Sequence, residues 1–263
     1  MPRTEGLLEE IGALIDAADR AGLPLRLIGG LGVRSSCPSA ARPPFAREYS
    51  DADCVSTADS APLQRFIAGQ GWKPDREFNM YNGDRRLLFA SPAGAKLDVF
   101  VGAFRMCHEF RFEGRMPAAR RAALPADLLL TKLQIHEINE KDLSDAACVF
   151  LDFDILDRGV SDREALGAGR TGYEPASGVE ADYIAAACAR DWGVYRSITG
   201  NLDKTASWVG AAVADAAWSE TILGRIARLR DAIDAKEKGV AWRIRSAIGP
   251  RARWYEEVEE VDL

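Results

Sequence analysis

Histidine is nearly absent from this 263-residue chain, which has only His108 and His136. Its five cysteines, Cys37, Cys54, Cys107, Cys148 and Cys188, are scattered and form no Cys-x-x-Cys pair. These scarcities argue against a structural zinc site and a disulfide framework, and they fit a reducing cytoplasm. Long apolar runs are missing as well. The best, Trp208 to Trp218, is interrupted by Asp215 and falls far short of the roughly eighteen residues a membrane span needs. There is no basic excess either: 34 Lys and Arg face 40 Asp and Glu, a net charge of −6, so the chain as a whole is no electrostatic partner for nucleic acid. The opening Met-Pro-Arg-Thr-Glu lacks the basic and apolar segments of a secretory signal. What remains is a 47% apolar, 28% charged chain, able to build a core and expected to reside in the cytoplasm.

Leu7, Leu8, Ile11, Leu14, Ile15 and Ala18 recur at helical spacing, and Gly22 with Pro24 ends that pattern. Leu25–Ile28 then reads as a short strand running into Gly29-Gly30-Leu31-Gly32, with a helix expected from Val33. Prolines 38, 43 and 44 make residues 37–48 an irregular loop. Strands are predicted at 50–57, 86–90 and 96–104, and a helix at 62–68. Beyond Pro125 the period turns helical, with Asp127 the expected cap of a helix through about Ile138 and Asp142 of another through about Leu151. Residues 157–179 have linker-like composition, and the chain is helical again from Glu180 to about Arg245. The expectation is an α/β domain over 1–155 and a helical C-terminal domain over 180–263.

Asp51 and Asp53 lie two apart on a predicted strand, so both carboxylates share one face with Cα atoms about 6.5 to 7 Å apart. Like charges so close raise a pKa unless a cation lies between them, and an oxygen-only pair suits Mg²⁺ or Mn²⁺ better than zinc. Asp98, within Lys96-Leu-Asp-Val-Phe-Val101, is a third acid set in an apolar strand. Gly29-Gly30, between strand and helix, offers backbone N–H groups that a polyphosphate can approach closely.

In this order, Leu27-Ile28-Gly29-Gly30, Ser50-Asp51-Ala52-Asp53-Cys54-Val55 and Leu97-Asp98-Val99 resemble the three motifs of the nucleotidyltransferase superfamily that includes DNA polymerase β and the antibiotic nucleotidyltransferases. Lys132, within Asp127-Leu-Leu-Leu-Thr-Lys132, and Lys141-Asp142-Leu-Ser-Asp145 resemble the later motifs of its AbiEii-type toxin branch. The likeness covers residues 25–150. It departs from the family in the twenty residues between Gly30 and Asp51 and in Leu31, where many members carry serine or threonine.

The resemblance implies a minimal mixed sheet flanked by helices and an enzyme that moves a nucleoside monophosphate from an NTP to an acceptor hydroxyl or phosphate, releasing pyrophosphate. Asp51 and Asp53 would hold Mg²⁺ or Mn²⁺. Asp98 would complete the metal shell or act as general base. Gly29, Gly30, Ser50, Arg47, Lys132, Asp142 and Asp145 would belong to the nucleotide site, although Asp142 and Asp145 equally suit an N-cap and a first-turn acid. The acidic balance favours a small-molecule acceptor. The alternatives are an AbiEii-like toxin acting on tRNA or protein and a non-catalytic nucleotide-binding module. Residues 220–253, with nine Lys or Arg against four acids, are the candidate RNA contact. The tryptophans at 192, 208, 218 and 242 are read as core.

Overall fold

The computed structural model describes residues 4–112, 114–116, 121–157 and 178–257, so residues 158–177 of the expected linker lie outside the described residues. The chain divides into two compact units. One comprises Met1–Arg105 with Glu109–Leu128, the other Met106–His108 with Leu129–Leu263.

The first unit is mixed α/β. Helix α1 (Thr4–Arg20) leads to β1 (Leu25–Ile28), α2 (Gly29–Ser36), a 3₁₀ turn (Pro38–Ala41), β2 (Asp51–Ser56) and α3 (Ser60–Gly69). Then follow β3 (Lys73–Pro74), α4 (Arg76–Asn82), β4 (Arg86–Ala90), β5 (Lys96–Val101), β6 (Phe104–Arg105) and β7 (Glu109–Phe110). The main sheet has the order β1-β2-β5-β4-β3. Its central pair, β2 and β5, is parallel, and every other pairing is antiparallel.

Strand alternation gives this sheet two different faces. Leu25, Leu27, Ala52, Cys54, Leu87, Phe89, Leu97, Val99 and Val101 cluster with Leu7, Ile11, Leu14 and Ile15 of α1 and Leu63 and Ile67 of α3. Side chains one residue away, including Asp51, Asp53, Asp98 and Arg86, point to the other face. The hydrophobic face fixes the register, since a slip of one residue would turn the acids into the core.

Helix α2 begins at Gly29, four residues before the helix start expected at Val33. Gly29 has φ +62°, a conformation glycine adopts without penalty, and this lets the chain pass from strand to helix with no intervening loop. Helix α4 was not foreseen, because its seven residues span barely two turns. Asp75 caps it, accepting from Phe78 N at 2.9 Å.

Helix α5 (Pro125–Leu133) crosses the division of the units and starts at proline, whose missing N–H costs nothing at a first helical position. Asp127 is therefore not its cap. It sits buried in the first turn, where Arg115 Nε donates to its carboxylate at 2.9 Å. Nor does Asp142 cap α6 (Glu140–Asp152). Asn139 does, accepting from the backbone N–H groups of Lys141 and Asp142 at 2.9 and 3.2 Å.

The rest of the second unit has a short parallel pair, β8 (Asp154–Leu156) with β9 (Gly178–Glu180), and helices α7 (Ala181–Arg190), α8 (Trp192–Ala212), α9 (Ala216–Ala235) and α10 (Val240–Ile248). Most of the cations in its basic stretch are engaged within the protein, while Arg243 and Arg251 are exposed. Arg225 donates to the carbonyls of Phe150 and Leu151, Arg228 to that of Ile155, Arg230 to that of Thr199 and Arg245 to that of Gly249. Lys236 and Arg253 pair with Asp182 and Glu257, and Lys238 donates to the carbonyls of Ile233 and Asp234. Of the tryptophans read as core, Trp192 is buried and Trp208, Trp218 and Trp242 are half-buried. All five cysteines are buried, and none forms a disulfide. Among the described residues no helix is long and apolar enough to cross a membrane.

Candidate active site

The parallel pairing of β2 with β5 sets Asp53 directly opposite Asp98 and Asp51 opposite Lys96. Residues in register on neighbouring strands point to the same side, so Asp51, Asp53 and Asp98 share the face turned away from the core. On β1, Ile28 lies opposite Asp53, and the next residue is Gly29. A Cβ at Gly29 would overlap the Asp53 Oδ2 oxygen and come within 3.1 Å of its Cγ. The first glycine is thus required both by its backbone conformation and by the carboxylate beside it. Gly30 follows as the second, half-buried residue of α2.

The sequence reading missed Arg86, on β4. Its Nε donates to both oxygens of Asp98 at 2.9 Å, and its Nη2 donates to Oδ2. The guanidinium carbon also lies 5.1 Å from the Phe100 ring centroid and 5.9 Å from that of Phe78. A cation opening an otherwise apolar strand, Arg-Leu-Leu-Phe-Ala, was the available signal.

Burial pushes the Asp98 carboxyl up, Arg86 opposes this by hydrogen bond and charge, and Asp51 adds to the rise; the net shift is upward. For Arg86, burial works against the charged form, but Asp98 and then Asp53 outweigh it, so its proton is held more firmly than usual. The Cys54 thiol is pushed well up, chiefly by burial and next by Asp53 and Asp98. Ser50 Oγ donates to Asp51 Oδ1 over a long 3.4 Å, and the Arg47 guanidinium lies 4.1 Å from the Tyr49 ring centroid.

Lys132, Asp142 and Asp145 come together in a cluster of their own in the second unit. Lys132 Nζ lies 2.8 Å from Asp142 Oδ1 and 2.9 Å from Asp145 Oδ2, and all three residues are buried. Burial disfavours the ammonium, yet Asp145 and Asp142 more than compensate and hold its pKa well above the ordinary lysine value. Two of its three protons are engaged by these carboxylates.

Among the described residues, no three or more His, Cys, Asp or Glu are gathered as a metal-holding group. Asp51 and Asp53 nonetheless suit a hard divalent cation, since Mg²⁺ is usually held by one or two carboxylates together with substrate phosphates. Asp51 is exposed and Asp53 half-buried.

Several solved structures are similar to this chain. The lincosamide antibiotic adenylyltransferase LnuA, in its lincomycin-bound crystal structure, matches at 17% identity with a TM-score of 0.38, over 54% of this chain and 94% of its own. The antibiotic-resistance factor ANT(2'')-Ia matches at 14% identity and 0.35, over 54% and 80%. JHP933 from Helicobacter pylori matches at 11% identity and 0.35, over 95% and 98%. No family model and no curated protein matches the chain. At these scores the likenesses carry no weight of their own, and the functional reading rests on the chain's residues.

Proposed function

We propose that this protein is a metal-dependent nucleotidyltransferase that moves a nucleoside monophosphate from an NTP to a hydroxyl of a small-molecule acceptor. The observation that carries the reading is the joint placement of Asp51, Asp53 and Asp98 on one sheet face beside the Gly29 turn, which repeats in space the order of motifs noted in the sequence. The acceptor oxygen attacks the α-phosphorus, the bond from that phosphorus to the bridging oxygen breaks, and pyrophosphate leaves.

Asp51 and Asp53 hold Mg²⁺ or Mn²⁺. When bound, the ion neutralises phosphate charge and stabilises the leaving oxygen. The N–H groups at Gly29 and Gly30, at the start of α2, donate to phosphate oxygens where no side chain intrudes. Asp98 faces the same side and serves the acceptor hydroxyl as proton acceptor. Arg47, Ser50 and the cluster of Lys132, Asp142 and Asp145 stand with the nucleotide site on the strength of the sequence resemblance alone. A small acceptor is favoured over RNA by the net charge of −6 and by the internal engagement of most cations in the 220–253 segment.

The test is incubation with each α-labelled NTP and Mg²⁺ in a cell extract, followed by fractionation. Label should enter the small-molecule fraction. Label in RNA or protein would replace the acceptor assignment with a toxin-like one, and label in no fraction with any NTP would overturn the enzymatic reading.

A further inference from the structure

A cavity of about 310 Å³ opens in the second unit, where the junction of α7 with α8 meets α10 and the chain that follows it. Its walls carry three indoles, those of Trp192, Trp242 and Trp254. Three cations, Arg190, Arg245 and Arg253, line it beside a single acid, Asp191. The reaction proposed above uses none of these residues.

The walls are held from behind. Trp242 Nε1 donates to the Cys188 carbonyl at 2.9 Å. The Arg245 guanidinium carbon lies 4.5 Å from the Trp192 ring centroid, and its Nη atoms donate to the carbonyls of Gly249 and Ala252 at 2.7 Å. This folds the chain back after α10, so that Trp254 meets Trp192 edge to face with centroids 6.2 Å apart, and Tyr255 secures the return by stacking on His136 at 3.6 Å. A Cβ at Gly193 would come within 2.4 Å of the Trp254 carbonyl oxygen, so the close approach of the two segments needs glycine there.

The charge of this hollow is unbalanced. Asp191 Oδ1 accepts from the N–H groups of Gly193 and Val194 at 2.5 and 3.0 Å, which commits the one acid to the positive end of α8. Arg190 is exposed and pairs with no carboxylate among the described residues. Arg253 pairs with Glu257 where both side chains are open to water, a contact that an incoming anion displaces at little cost. Flat apolar walls and an excess of guanidinium select a flat ligand with negative charge, because ring faces stack on indole and guanidinium binds a carboxylate or phosphate through paired donors. The volume lies at the low end of the roughly 300–1,000 Å³ usual for ligand sites, which suits a molecule of one or two rings. We propose that this cavity is a binding site for a small aromatic anion, an aryl carboxylate or aryl phosphate. The assignment stands independently of nucleotidyl transfer.

Titration of 1-naphthoate and, separately, of 1-naphthyl phosphate into the full chain in EDTA, followed by nuclear magnetic resonance of the tryptophan indole N–H groups, tests this without turnover. Both should bind with a Kd of about 1 mM or tighter and shift the signals of Trp192, Trp242 and Trp254, leaving those of Trp72, Trp208 and Trp218 in place. The amine 1-naphthylmethylamine, with the same rings and the opposite charge, should not bind. Ala241 is an exposed residue of the lining. Ala241→Glu should weaken the binding of both anions roughly tenfold or more, whereas Ala241→Gln, of similar size and neutral, should change it less than about threefold. Arg190→Gln with Arg253→Gln alters only exposed side chains and should also cost roughly tenfold.

Indole signals that stay unmoved with either anion up to about 10 mM would overturn the proposal. So would shifts confined to Trp72, Trp208 and Trp218, an amine that binds as tightly as the anions, or an Ala241→Glu variant with wild-type affinity. The double variant Asp51→Asn with Asp53→Asn should bind both anions as the wild type does. A loss of binding there would move the ligand to the acid face and overturn this assignment, while leaving the enzymatic reading intact.

Discussion

Gly29 and Asp53 are fitted to each other: the space a side chain would fill at Gly29 is occupied by the Asp53 carboxylate, and Gly29 has φ +62°. Gly29→Ala must therefore bear a left-handed backbone, at about 1–2 kcal/mol, and also push the carboxylate aside. We expect a loss of about 2 kcal/mol or more in urea unfolding, with Mn²⁺ affinity reduced in the protein that remains folded. An alanine variant with wild-type stability and affinity would disprove this coupling.

Lys132 is buried between Asp142 and Asp145. Lys132→Met leaves two carboxylates close together without their cation, which for a broken buried pair costs about 3–5 kcal/mol. Adding Asp142→Asn and Asp145→Asn should recover most of that loss. Denaturant unfolding of the single and triple variants checks it, and a single variant of unchanged stability would contradict it.

His108 supplies a pH dependence. Burial lowers its pKa, an effect that Asp191 partly offsets and His136 reinforces, and its Nε2 lies 2.9 Å from Ser197 Oγ. The fold thus prefers neutral imidazole. Its contribution is complete above the ordinary histidine value of about 6.5 and is lost as pH falls below it, because the unfolded chain then takes up a proton that the folded one refuses. Stability should decline between pH 7 and 5 with a slope of at most about 1.4 kcal/mol per pH unit from this site. His108→Gln should flatten that part of the profile, and an identical slope in the variant would exclude His108 as its source.

Four of the main sheet's five strands were legible in the sequence because they are short, apolar and bounded by Gly and Pro, as at Leu25–Ile28 and Lys96–Val101, whereas the two-residue β3 was not. The three aspartates were legible because acids in such strands are conspicuous. Arg86 was not, since its partner lies twelve residues away on an adjacent strand and only the register of β4 with β5 joins them. The helix starts at 125 and 140 were misread for a related reason. Asp127 and Asp142 have the chemistry of caps, but Arg115 and Lys132 claim their carboxylates, and Pro125 and Asn139 take over the helix ends. Local propensity gave way to ion pairs that a linear pattern does not reveal.

The central claim is that Asp51 and Asp53 bind nucleotide through a divalent ion. Isothermal titration of ATP and of GTP, with Mg²⁺ and with EDTA, into wild-type protein and into the double variant Asp51→Asn with Asp53→Asn, tests it most directly. The account predicts binding of at least one nucleotide that requires Mg²⁺ and disappears in the double variant. Binding that persists in EDTA, or that the double variant retains undiminished, would contradict it.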